Sequence, residues 1–181
     1  INKNIEKNYD LALIGNSHAQ MYANSILPHL KTHSRKGIIL PMTWCLPTTS
    51  VNLSSHCLDT SKKYYNKYFY DKNIKTVIIA TSWWHDQLYD GKILLEDKDH
   101  MMLSKSLLNL YNQLKDIGKE VYLVSPIQVP LYELPQTLSR LVKFNHIDKQ
   151  QLSKLLKVNR NIYENNYKKV KEFFKKNLKD N

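Results

Sequence analysis

No apolar run in this chain approaches the roughly 18 residues a membrane-spanning helix needs, so nothing in it reads as a transmembrane segment. Ile1 to Tyr9 is polar and rich in Lys and Asn, without the apolar centre of a signal peptide. The chain does not start with Met, and it is expected to be a segment of a longer protein. Cysteine is scarce. There are two, Cys45 and Cys57, and the absence of Cys-x-x-Cys argues against a redox motif or a zinc knuckle. No histidine pair has metal-ligand spacing, so no metal and no cofactor is expected. Internal repeats and low-complexity linkers are also missing. What is left, at 181 residues and 42% hydrophobic content, fits one α/β domain with a proper core.

Charge is present in excess, and of one sign. The net +11 invites a nucleic-acid reading. The basic residues, however, are spread along the chain and thicken toward the C-terminus, on a predicted helix, with no recognised nucleic-acid motif beside them. A solvated helix face accounts for that pattern, and no nucleic-acid partner is expected. Attraction to an anionic polysaccharide or a membrane surface stays open.

The chain is organised around Leu11-Ala12-Leu13-Ile14-Gly15-Asn16-Ser17-His18-Ala19-Gln20. Leu11 to Ile14 is a continuous apolar run, as in a strand covered on both faces. Gly15 lets the backbone turn. Ser17 then falls at the mouth of a helix starting near His18, beside N–H groups that lack helical partners and carry partial positive charge. Such a serine has the access and the oxyanion donors that a nucleophile needs. The same tripeptide is also an ordinary turn in which Asn16 or Ser17 only caps the helix.

In order, residues 1–9 read as a linker, 10–14 as the first strand and 18–33 as the first helix. Met21, Ile26, Leu27 and Leu30 form that helix's apolar stripe, and Pro28 is a candidate kink. Residues 37–40 form a second strand, stopped by Pro41. A Thr/Ser/Pro-rich loop from Met42 to about His56 follows, flanked by the cysteines. Two readings compete there: free thiols in a reducing compartment, or a disulfide closing the loop in an oxidising one. A helix is predicted over 58–70, with Tyr65, Tyr68 and Phe69 as packing residues. Thr76 to Thr81 is the strongest strand and is expected to be central. It ends in Ser82-Trp83-Trp84-His85-Asp86, where the indoles either cap the core or wall a site. A helix over 98–118, a strand over 120–125, an irregular stretch to about 146 and a last helix over 149–178 complete the chain.

Alternating strands and helices imply a parallel sheet with helices on both faces, a three-layer α/β/α flavodoxin-like fold. With strand order 2-1-3-4, the topological switch lies between the first and third strands. The serine turn and the Trp pair are therefore expected to meet in one crevice.

Ile14-Gly15-Asn16-Ser17-His18-Ala19 resembles the first block, Gly-Asp-Ser-His-Ala, of SGNH hydrolases. The whole is most similar to the extracytoplasmic SGNH domain fused to acyltransferase-3 membrane proteins. The cysteine pair and the apolar strand Val77 to Thr81 running into Ser82-Trp83 match that subfamily in the same order. The resemblance implies O-acylation, usually O-acetylation, of an envelope glycan such as lipopolysaccharide or another polysaccharide. The place implied is the periplasmic or extracytoplasmic face of a bacterial inner membrane. The membrane acyltransferase domain, in the rest of the chain, would deliver the acyl donor, and a glycan would accept it. Ser17 would carry the acyl group, with Gly15, Asn16, His18, Trp83 and Trp84 shaping the oxyanion hole and walls. Cys45 and Cys57 would be bonded.

Three departures stand out. The family's Asp is Asn16 and its Arg before the Trp is Ser82. Its catalytic Asp-x-x-His lies near the C-terminus, where this chain ends at Lys179-Asp180-Asn181 without one. The domain, 10–181, is thus expected to stop short of that block and to be a poor enzyme alone. His85 with Asp86 is the alternative base. His29, His33, His56, His100 and His146 are expected at the surface. The alternative function is a degenerate SGNH-like module that only binds a glycan or partner.

Overall fold

The computed structural model describes residues 9–127, 143, 151, 154 and 159–178. Its centre is a parallel sheet built from the apolar runs. β1 (Leu11–Gly15) lies between β2 (Gly37–Pro41) and β4 (Thr76–Ala80), and β7 (Glu120–Leu123) pairs with the far edge of β4. The order is the one expected. Strands β1 and β4 are both interior, and their residues are almost all buried because helices cover both faces.

Side chains alternate across the sheet and divide the core in two. Leu13, Ile78 and Ala80 face α1 (Ser17–Thr32), where Ala19, Tyr22, Ala23 and Ile26 pack on them. Ala12, Ile14, Val77 and Ile79 face the larger layer. That layer is built by α2 (Ser55–Phe69), α3 (Met101–Asp116), α4 (Arg160–Asn166) and α5 (Lys168–Asn177). The stripe expected on α1 needs correction. Met21 and Leu27 are 63% and 44% exposed, while Ala19 is buried, so small residues bring the helix onto the sheet. Pro28 lies inside α1 without ending it.

Elsewhere the ends shift for identifiable reasons. Helix α2 begins before Leu58 because the Ser54 hydroxyl accepts from the Cys57 N–H at 3.1 Å and caps it. Tyr65 of α2 reaches under the sheet, its hydroxyl within 3.2 Å of the carbonyls of both Gly15 and Leu40. The last helix is two segments meeting at Tyr167, and the expected stretch before Asn159 lies largely outside the described residues. On α5, Val170 is buried while Lys168, Lys169, Lys175 and Lys176 are exposed, as a solvated basic face requires.

A second, antiparallel sheet went unpredicted. β3 (Val51–Asn52) pairs with β5 (Gln87–Asp90), which forms a hairpin with β6 (Ile93–Glu96). Gly91, at φ +60°, makes the hairpin turn. Asn52 pins the loop before it. Its buried amide accepts from the N–H groups of Leu46 and Leu53 and donates to the carbonyls of Leu46 and Thr48 and to the Ser61 hydroxyl. Cys45 and Cys57 are joined by a disulfide that ties this loop to α2.

Candidate active site

The parallel register sets Gly15 beside Ala80, so β1 and β4 end side by side at one edge. Gly15 is required there. A Cβ on it would lie 1.7 Å from the Ala80 carbonyl oxygen, and its φ is +150°. The chain then turns through buried Asn16 into α1, placing Ser17 in the first turn of the helix, exposed. The Ser17 hydroxyl has no hydrogen-bond partner among the described residues. Its N–H, at the helix start, has no intrahelical acceptor, and no acidic residue neutralises the first turn.

Asn16 knits the two strand ends together. Its Oδ1 accepts from the N–H groups of His18, at 3.1 Å, and Ser82, at 3.2 Å. Both are backbone donors, so the amide orientation follows, and Nδ2 donates to Ser82 Oγ at 2.6 Å. Ser82 Oγ in turn is hydrogen-bonded to His85 Nε2, 2.7 Å away. Burial pushes the His85 ring down to about 4, assisted by His100 and His18 and opposed by Asp86. The ring is therefore neutral near pH 7. The half-buried His18 ring is also lowered by burial.

A family model described as SGNH domain (fused to AT3 domains) matches residues 2–181. The chain belongs to this family. No curated protein and no solved structure matches it. As an SGNH domain it is a hydrolase-like module associated with an acyltransferase, and the fusion partner is a membrane domain class. No helix among the described residues is long and apolar enough to cross a membrane.

The residues singled out in this SGNH domain separate into groups. Gly15, Asn16, Ser17 and His18 share the switch edge with Ser82 and His85. Trp84 is 50% exposed on the segment that follows β4. Trp83 turns inward. It is 2% exposed, meets Phe174 edge-on at 5.7 Å, and its indole N–H has no partner among the described residues. His85 Nε2 faces Ser82, and Asp86 is exposed. No cluster of metal-binding side chains occurs among the described residues.

Two features escaped the sequence reading. Ser82 was expected at the strand end and as a departure from the family's Arg, with no role of its own, yet it bridges Asn16 and His85. Asp97-Lys98-Asp99-His100 is an Asp-x-x-His spacing in mid-chain. Its carboxylate does other work: the two oxygens accept from the N–H groups of Met102, at 2.7 Å, and Leu103, at 2.9 Å, and so cap α3. His100 was expected at the surface but is buried, in a left-handed conformation at φ 59°, with its ring 5.8 Å from Tyr167. The hairpin causes this. Asp97 N–H donates to the Asp86 carbonyl at 2.7 Å, closing the neck between His85 and His100.

Proposed function

We propose that this SGNH domain carries an acyl group on Ser17 and passes it to a hydroxyl of an envelope glycan, O-acetyl transfer being the simplest case. The observation that carries this is the exposed Ser17 hydroxyl in the first turn of α1, at the edge where β1 and β4 end, in a domain whose family is fused to AT3 domains. Open α/β sheets bind ligands at that crevice. The Ser17 N–H and the helix dipole are suited to an oxyanion. Trp84 offers a sugar-stacking wall. The membrane domain supplies the acyl donor, and the site works on the extracytoplasmic side, where the Cys45–Cys57 disulfide is stable.

Ser17 needs a proton acceptor. The family's C-terminal Asp-x-x-His, which fills that role, is not among the described residues, and the alternative, His85, has its Nε2 committed to Ser82. Incubation with an activated acetyl ester, followed by peptide mass spectrometry, should find acetyl-Ser17 accumulating faster than on unfolded chain. A folded protein in which Ser17 stays unmodified while the ester is consumed overturns the reading. Asn16 in place of the family's Asp supports the second reading, a module that binds glycan without turnover. It predicts glycan affinity that Trp84→Ala removes and Ser17→Ala leaves unchanged.

A further inference from the structure

We propose that Ser82 is a second acyl-accepting nucleophile of this domain, activated by His85. The proposal does not depend on Ser17. Among the described residues, Ser82 is the one serine whose hydroxyl is hydrogen-bonded to a histidine ring. The pair has the nucleophile-to-base distance that acyl transfer requires, at 2.7 Å.

The neighbours hold the Ser82 hydroxyl against that ring. Asn16 Oδ1 is held by two backbone donors, so Nδ2 faces Ser82 Oγ and acts as donor. Asn16 uses only one of the two lone pairs on Ser82 Oγ, which leaves the hydroxyl proton to be given to His85 Nε2, 2.7 Å away. With its proton on Nδ1 the ring is a general base, and its desolvated position keeps it neutral near pH 7. Asn16 also grips the Ser82 N–H, so the hydroxyl is held from two sides at the end of an interior strand. Ser82 is partly accessible, next to the exposed Trp84.

The step balances without a further reactant beyond an ester or thioester acyl donor. Ser82 Oγ bonds to the carbonyl carbon as its proton passes to His85 Nε2, and the carbonyl electrons move onto oxygen. When the intermediate collapses, the bond to the leaving oxygen or sulfur breaks and that atom takes the proton from Nε2. The products are acyl-Ser82 and the free alcohol or thiol. The Asn16 Nδ2 donor, 2.6 Å from Oγ, holds that oxygen in position while its proton passes to the ring.

The test is site-resolved labelling of the 181-residue chain with a fluorophosphonate probe, quantified on the separate peptides that contain Ser17 and Ser82. Ser82 should be labelled in the folded protein, and His85→Gln should slow that labelling by about 100-fold, as loss of a general base does. Circular dichroism melts of His85→Gln confirm that it is folded, and Asn16→Asp, which removes the amide donor, should also slow Ser82 labelling. An unlabelled Ser82 in the folded wild type overturns the proposal and leaves the Asn16–Ser82–His85 unit as a clamp between strands. So does labelling of Ser82 that His85→Gln does not slow. Labelling confined to Ser17 would support the function proposed above while rejecting this one.

Discussion

Gly15→Ala is the substitution whose effect can be worked most directly from the structure. The new Cβ would lie 1.7 Å from the Ala80 carbonyl oxygen, 2.7 Å from its carbon and 3.1 Å from Ala19 Cβ. Backbone cannot swing aside as a side chain can. β1 is bonded to β2 and β4, and β4 to β1 and β7, so relief means parting two interior strands. The positive φ adds about 1–2 kcal/mol of strain, and overpacking an interior adds about 1–3 kcal/mol or more. A total of about 4 kcal/mol is a large share of the roughly 5–15 kcal/mol that holds a domain together. For a chain of this size it should lower Tm by about 12 °C. Thermal melts followed by circular dichroism measure this directly. Gly91→Ala is the internal control, since Gly91 has φ +60° but nothing within 4 Å of the added Cβ. It isolates the strain and should lose only about 3 °C. If Gly15→Ala melts within a few degrees of Gly91→Ala, the close approach of the two strand ends is wrong, and with it the geometry of the site.

Other outcomes follow from the same structure. Thiol counting on denatured, unreduced protein should find no free cysteine, and the Cys45→Ser/Cys57→Ser variant should lose about 3 kcal/mol in urea melts on chain-entropy grounds; two free thiols refute the pairing. His85 titrates at about 4 in the folded protein against 6.5 when unperturbed, so the unfolded chain binds its proton first. Stability should be full above pH 6.5, decline as pH falls toward 4 and level off below that, and an NMR midpoint for His85 above 6 would contradict it. Asp97→Ala removes both acceptors from the start of α3 and should cost about 2 kcal/mol; an unchanged urea midpoint would show that the cap does not stabilise the helix.

The parallel sheet and the meeting of its two central strand ends were legible because Leu11–Ile14 and Thr76–Ala80 are continuous apolar runs, and such runs go to the middle of α/β sheets. The second sheet was not legible. Ile93, Leu94 and Leu95 are apolar but exposed, so the periodicity that marks a half-buried strand is missing. The remaining signal is Asp90-Gly91 between two short runs. Missing the hairpin hid what it does. It folds His100 back toward His85, and the Asp97-x-x-His100 spacing has meaning only once Asp97 is seen capping α3. The α1 stripe misled for a related reason. Size and spacing point to Met21 and Leu27, whereas a helix lying close on a sheet presents alanines. Ser82 could not be read from sequence at all, because its role is a geometric one, set by an amide 66 residues away.

That separation of 66 residues between Asn16 and Ser82 also governs when reactivity is born. The polypeptide leaves the ribosome from its N-terminus, so the serine turn at 15–18 emerges long before the strand that completes it. β2 can pair with β1 early, but β4 must close a loop spanning α1, β2, β3 and α2 before Gly15 meets Ala80. Contacts of such span form late, because chain entropy is lost before they reward it. No early fragment of the chain can therefore hold the Asn16–Ser82–His85 unit. The hydrogen-bonded unit exists only in molecules whose central sheet is already built.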